Sequence, residues 1–301
     1  MSPLASIPLW FLLTGLGLSV MVLPRRAELV LGRALGRFGL RFCLFKNKLA
    51  AEHIGLCYPD KCVAERADLL RANYEHMGVL FFEYLHLFSP VAGHFARYIE
   101  RVSRLEGYEN WKRAHDKGRG VLVFSSHMAF WEASAAATGL AGIKPTIVTT
   151  VLKPRWLNER ITAARASCGV SAAYHPGSMP DILRALRAGG TVAFMNDQYA
   201  RPPMGVPVVF FGALVDTLGA VGPLANRLEA PIVPVSVHRD ADGVEVVTIE
   251  PELDLGEALY DGEAATQAIA SHVEGWVRRD PAQWLWIHRR FKNAVWENPP
   301  A

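Results

Sequence analysis

Along the chain the spacing of apolar positions changes period. From Gly120 onward, short apolar runs rich in β-branched residues alternate with stretches whose apolar positions recur every three to four residues. Buried strands and amphipathic helices leave those two signatures. The strand-like runs are VLVF (Val121–Phe124), TIVTTV (Thr146–Val151), TVAFM (Thr191–Met195), PIVPVSVH (Pro231–His238) and VEVVTIE (Val244–Glu250). Between them the spacing predicts helices near Trp156–Ser167, Pro180–Ala188, Gly219–Glu229 and Thr266–Arg279. Strands apolar on both faces must be covered on both sides. The expected fold class is therefore α/β, a largely parallel mixed sheet flanked by helices, with no Gly-, Ser- or Pro-rich linker dividing it.

Upstream the pattern differs. Ile7–Leu23 carries no charged residue and is about as long as the shortest membrane-crossing helices. No Lys or Arg precedes it and no A-x-A site follows, which argues against a cleaved signal peptide. Arg25 and Arg26 come directly after, and positive flanks stay on the cytoplasmic side. Residues 1–26 are expected to form a transmembrane or membrane-anchoring helix, with a buried or re-entrant helix as the other reading because of Pro8 and two glycines. Residues 27–301 form the expected single domain. It opens with a basic helix over 27–48, where Arg33, Arg37 and Arg41 share one face among leucines and phenylalanines. A stripe of like charge forgoes opposite-charge pairs, so it reads as a helix lying on anionic lipid rather than as an ordinary solvated face. Ala64–Phe88 predicts a long helix that is mostly core.

Composition narrows the function classes. At 301 residues, 50% hydrophobic and 20% charged, the chain is not disordered, and a formal net charge of +3 argues against a dedicated nucleic-acid binder while suiting anionic headgroups. Cys43, Cys57, Cys62 and Cys168 lack paired C-x-x-C spacing, so neither a metal site nor a disulfide framework is expected.

Candidate chemistry gathers where strands end. In open α/β sheets ligands collect beyond the carboxyl ends of the strands. His127 follows VLVFSS, and Asn196-Asp197-Gln198 follows TVAFM. In VLVFSSHMAFWE, His127 and Glu132 are five residues apart, about 140° around an ideal helix. They can meet only if His127 lies in the turn before the helix. From there Glu132 could accept from one ring nitrogen and leave the other as a base near neutral pH, while the first N–H groups of the helix favour a developing oxyanion. The plainer alternative is a capping histidine and an unrelated surface glutamate. On the helix after Pro154, Arg165 shares the side marked by Leu157, Ile161, Ala164 and Cys168, and there a cation calls for a phosphate or an internal salt bridge. Lys153 and Arg155, just before that helix, are candidate anion contacts or ordinary surface charge. Near the end, Trp284, Ile287, His288 and Phe291 follow helical spacing, which makes His288 a core histidine and turns Arg289, Arg290 and Lys292 outward toward phosphate, an acidic partner or water.

HMAFWE resembles the H-x-x-x-x-[D/E] motif of glycerolipid acyltransferases. Its Trp-acid ending resembles the H-x-G-N-W-[D/E] form of the bacterial lipid A late acyltransferases, the lauroyl and myristoyl transferases. GYENWKRAHDKGRGVLVFSSH, GGTVAFMNDQ, VPVVFFGALVDTLGAVGPLANRLEAPIVPV and PAQWLWIHRRFK resemble the same family in the same order, over roughly Lys46 to Lys292. The resemblance implies a glycerolipid-acyltransferase-like fold with His127 as the base that deprotonates an acceptor hydroxyl and Glu132 as its orienting partner. It implies direct attack on an acyl thioester, carried by acyl carrier protein or coenzyme A, with no metal and no other cofactor. Asp197 and Gln198 stand at the family's Asp-Gln pair, which favours a site role over a strand-end turn. Ala129-Phe130 departs from the family's Gly-Asn, so the pocket beside the base is expected to differ. The expected acceptor is a membrane glycolipid, foremost a lipid A precursor bearing 3-hydroxyacyl chains, at the cytoplasmic face of a bacterial inner membrane. The alternatives are another membrane lipid, such as a glycosylated phospholipid or an aminolipid, and a lipid-binding accessory protein without turnover.

Overall fold

The computed structural model describes residues 3–296. Residues 1–2 and 297–301, the outer ends of the two expected segments, lie outside the described residues. Helices α1 (Pro3–Val20), α2 (Arg25–Arg41), α3 (Asn47–Cys57), α4 (Val63–Leu85) and α5 (His94–Val102) come first. There follow β1 (Ser103–Glu106), α6 (Tyr108–His115), β2 (Val121–Ser125), α7 (Trp131–Leu140), β3 (Thr146–Thr150), α8 (Arg155–Ser167), β4 (Ser171–His175), α9 (Met179–Arg187) and β5 (Thr191–Met195). The chain then forms β6 (Gly205–Phe210), β7 (Ala213–Leu218), α10 (Val221–Leu228), β8 (Ile232–Arg239), β9 (Glu245–Ile249), α11 (Gly262–Arg279) and β10 (Val295–Trp296).

The five expected strands build the centre of a seven-stranded sheet in the order β1-β9-β8-β2-β5-β3-β4. Its pairings are parallel except β8 with β9, so the expected α/β class is observed. Every residue of β2 is buried. Leu122 and Phe124 face a core shared with α11 and with Trp284 and Trp286, whereas Val121 and Val123 face a second core containing Ala133 and Ala136 of α7. That double burial is why the central strands read as unbroken apolar runs. The unpredicted strands sit where the signal is weak. β1 and β4 are the sheet's edges, each with one neighbour, and β6, β7 and β10 form a small separate antiparallel sheet.

Two expectations are corrected. Among the described residues no helix is long and apolar enough to cross a membrane, so the membrane-crossing helix expected over residues 1–26 is not supported. α1 instead lies on the domain, with Val20 buried and Gly17 so close to Phe88 and Ser89 that a Cβ there would strike their backbone. Arg25, expected as a flanking cation, is drawn inward: it bonds the carbonyl of Gly243 at 2.7 Å and pairs with Glu83 at 2.6 Å and Glu28 at 3.2 Å. The second correction concerns the tail. Trp284–Phe291 forms turns rather than a helix, because its groups are claimed by distant partners: Met128 bridges to Trp284, and Asn73 donates to the carbonyls of Ala282 and Trp284, each at 2.8 Å.

α2 keeps Arg33, Arg37 and Arg41 exposed, and its other side packs closely on α4. The contact is built on missing side chains. A Cβ at Gly36 would run into the carbonyl of Tyr74, and one at Gly78 into that of Gly32. Beside this crossing runs a groove bordered by Leu35, Phe38, Leu80 and Phe81.

Candidate active site

β2 and β5 are parallel neighbours with Ser125 opposite Met195. Two residues further along each strand, the same register sets His127 beside Asp197. His127 Nδ1 lies 2.8 Å from Asp197 Oδ1, and the His127 backbone N–H donates to Oδ2, also at 2.8 Å. The Trp284 indole donates to Oδ2 at 2.9 Å. Burial alone would raise the pKa of Asp197, but its partners, the His127 ring foremost and then the His127 N–H and the Trp284 indole, outweigh it and hold the group down to about 2. A carboxylate so fixed accepts a proton from Nδ1, which places the free lone pair of the imidazole on Nε2. Gln198 follows on the same turn, its Nε2 3.3 Å from His127 Nε2.

Glu132 is not the partner of His127. It lies in the first turn of α7, where both oxygens are taken by Arg165 of α8, Oε1 from Nη2 at 2.7 Å and Oε2 from Nε at 2.9 Å. The His127 ring turns toward β5 instead, so the expected His127–Glu132 pair is replaced by two separate pairs, His127–Asp197 and Arg165–Glu132. For Arg165, of the two readings offered by sequence, the structure shows the internal salt bridge. The guanidinium pKa is raised: burial opposes the charge, and the Glu132 carboxylate more than offsets it.

The remaining sequence candidates fall elsewhere. Lys153 and Arg155 are exposed, and Arg155 pairs with Glu159 one turn along at 2.6 Å. Arg289 is exposed. Arg290, expected to face outward, is only 1% exposed. It donates to the carbonyls of Gln198 and Asp216 at 3.0 and 3.1 Å and to the Thr217 hydroxyl at 2.6 Å, and it stacks over Phe210. Burial lowers its pKa to about 10. Its work is to hold the Asp197-Gln198 turn against β7. His288 is half-buried, and burial lowers its ring to about 4, so it stays neutral at physiological pH. Among the described residues no group of three or more His, Cys, Asp or Glu is placed to hold a metal ion.

Two hollows lie on either side of Trp131. A cavity of about 280 Å³ is lined by His127, Gln198, Trp131, Glu132 and Arg165, and continues beneath the alanine-rich underside of α7 past Ala135 and Thr138. A groove of about 470 Å³ between α2 and α4 is lined by Leu35, Phe38, Phe45, Leu80 and Phe81. Trp131 lines both, and its ring centroid is 5.1 Å from that of His127. Sequence reasoning missed Trp284 as a ligand of Asp197 and Trp131 as the wall between the hollows. The H-x-x-x-W-E spacing contains Trp131, but nothing local marks its two-sided exposure.

Comparison with known proteins places the chain beside lipid A biosynthesis enzymes. The family described as bacterial lipid A biosynthesis acyltransferase matches residues 4–293. The lipid A biosynthesis palmitoleoyltransferase of Escherichia coli (strain K12) is 28% identical over 287 residues, 94% of this chain and 90% of the relative. The lipid A biosynthesis lauroyltransferase of the same organism is 27% identical over 295 residues, covering 94% and 92%. A lipid A biosynthesis acyltransferase of Haemophilus influenzae (strain ATCC 51907 / DSM 11121 / KW20 / Rd) is 25% identical over 264 residues, covering 84% and 79%.

Proposed function

Because the chain belongs to the bacterial lipid A biosynthesis acyltransferase family and is an acyltransferase, we propose that it transfers a fatty acyl chain from a thioester to a hydroxyl of a lipid A precursor, with His127 as general base oriented by Asp197. The observation that carries this reading is the His127–Asp197 pair, whose histidine lines a cavity bordered by Trp131, Gln198 and Arg165. Asp197 holds the proton on Nδ1, and Nε2 takes the proton of the acceptor hydroxyl. The alkoxide oxygen forms a bond to the thioester carbonyl carbon, the C–S bond breaks, and the imidazolium returns its proton to the departing thiolate. Gln198 now bonds Nε2 and gives way to the hydroxyl. The N–H groups of Trp131 and Glu132 open α7 without helical partners of their own, which suits them to the tetrahedral oxyanion.

The donor is acyl carrier protein or coenzyme A, and neither a metal nor another cofactor enters the step. Glu132 acts through Arg165, whose Nε and Nη2 it occupies, leaving Nη1 for an anionic group of the acceptor. The groove between α2 and α4 receives an acyl chain. Phe38, Phe42, Leu44 and Phe45 are exposed beside Arg33 and Arg41, a mixture that suits a helix resting on the anionic cytoplasmic face of the inner membrane. His127→Ala tests the assignment: acyl transfer by purified protein should fall at least about a thousandfold while lipid binding persists. Near-wild-type transfer by that variant would refute it.

A further inference from the structure

Given His127 as the base proposed above, its loop must be held still, and Ser126–Phe130 belongs to no helix or strand that would do so. Three of its N–H groups are instead held from distant segments. His127 donates to Asp197, and Ala129, beside the Met128–Trp284 bridge, donates to the carbonyl of Gln283 at 2.9 Å. The last, Phe130, donates to Glu245 Oε2 at 3.2 Å. Ala129 has φ 46°, left-handed for a residue with a Cβ, and such a conformation persists only where its surroundings over-determine it.

Phe130 stands at the N-cap of α7, where Ser, Thr, Asp or Asn would close the helix with its own side chain. Phe has no such group. Glu245, fully buried at the start of β9, instead accepts from the N–H of the N-cap residue itself, the bond that a capping-box glutamate makes from within its own helix. Glu245 is in turn fixed. Its register partner Arg239 pairs with it at 2.7 Å and Arg25 approaches to 3.5 Å, while Glu83 binds both of those guanidinium groups. Burial, with Glu83 adding to it against the pull of Arg239, raises the Glu245 carboxyl to about 8, and removing Glu83, Arg239 and Arg25 from water costs several kcal/mol for each ion. A cluster of this kind is therefore explained better by the position it enforces than by stability.

We propose that Glu245, clamped by Arg239, Arg25 and Glu83, is a positioning residue that holds the N–H of Phe130 at the N-cap of α7 and so sets where His127 stands relative to Asp197 and the cavity. Through Arg25 the same cluster ties the start of α2, which borders the apolar groove, to the loop that carries the base.

The test compares Glu245→Met, which keeps the length and loses the acceptor, with Glu245→Gln, whose oxygen can still accept from Phe130. Acyl transfer from lauroyl-acyl carrier protein to a tetraacyl lipid A precursor in mixed micelles is measured alongside amide hydrogen exchange. Glu245→Met should lower kcat on the order of 100-fold with KM nearly unchanged, as a displacement of about an ångström does. Exchange at residues 127–132 should accelerate ahead of the rest of the domain, and Glu245→Gln should restore both readings to near wild type. If Glu245→Met does not fold, Glu245→Met/Arg239→Met removes the opposed charges together and the same two measurements are made on it. Unchanged kcat, unchanged exchange at 127–132, or equal losses in the Met and Gln variants would each overturn the proposal. The exchange measurement does not depend on turnover, so it still judges Glu245 if His127→Ala shows that the assigned base is wrong.

Discussion

Replacing Asp197 by Asn is the sharpest perturbation of the site, because the carboxylate has three bonds and an amide can reproduce only two. Asn would keep its oxygen where Oδ2 accepts from the His127 N–H and the Trp284 indole, which points its NH₂ at Nδ1. That ring nitrogen must then be the acceptor, the proton moves to Nε2, and the base has no lone pair for the hydroxyl. The corresponding change in serine-protease triads lowers kcat about 10⁴-fold, or about 5.5 kcal/mol of barrier. KM should barely move, since Asp197 is 1% exposed and does not line the cavity.

Stability carries a second signature. The folded-state pKa of Asp197 is depressed from 3.8 to about 2, which is on the order of 2 kcal/mol. A depressed carboxylate contributes this above its unfolded pKa and loses it as pH falls through the folded value. Wild type should therefore exceed the Asn variant by about 2 kcal/mol in denaturant unfolding at pH 7, with that gap shrinking between about pH 4 and pH 2. Steady-state thiol release supplies kcat and KM. A kcat within about tenfold of wild type would refute the orienting role of Asp197.

Two further outcomes separate the parts of the site. Glu132→Gln leaves Arg165 buried without its counter-charge and should cost on the order of 3 kcal/mol by chemical denaturation, without altering the pH limb of kcat that reports the base. A shifted limb would restore Glu132 as the partner of His127. At position 129, Ala129→Gly relieves the left-handed φ and should change stability by less than about 1 kcal/mol. Ala129→Val places a β-branched residue at φ 46° in a fully buried position, and should lower the unfolding midpoint sharply and abolish transfer.

Much of the molecule was legible because its signals are local. The five central strands and the helices between them announce themselves by period, since a segment buried on both faces has to be apolar throughout and a covering helix apolar on one side. Edge strands β1 and β4 escaped because one-sided pairing demands less of the sequence. For α1 the sequence left two readings open, because apolar composition is the same whether a helix meets lipid or rests on protein, and the contacts of Val20 and Gly17 with the domain could be supplied only by the tertiary structure.

The chain alone determined that a histidine and an Asp-Gln pair stand at the ends of buried strands, and that their motifs resemble those of lipid acyltransferases. Tertiary structure decided the partners. His127 and Asp197 are seventy residues apart, joined because β5 crosses back to lie in register beside β2, with β3 and β4 placed beyond it. Nothing within either segment encodes that crossover, which follows from how helices and strands bury their apolar faces together. Glu132, five residues from His127, is the nearer neighbour in sequence and bonds elsewhere, because a strand-to-helix turn sends the two side chains to different neighbours. Sequence proximity limits which groups can meet, and sheet register selects the ones that do.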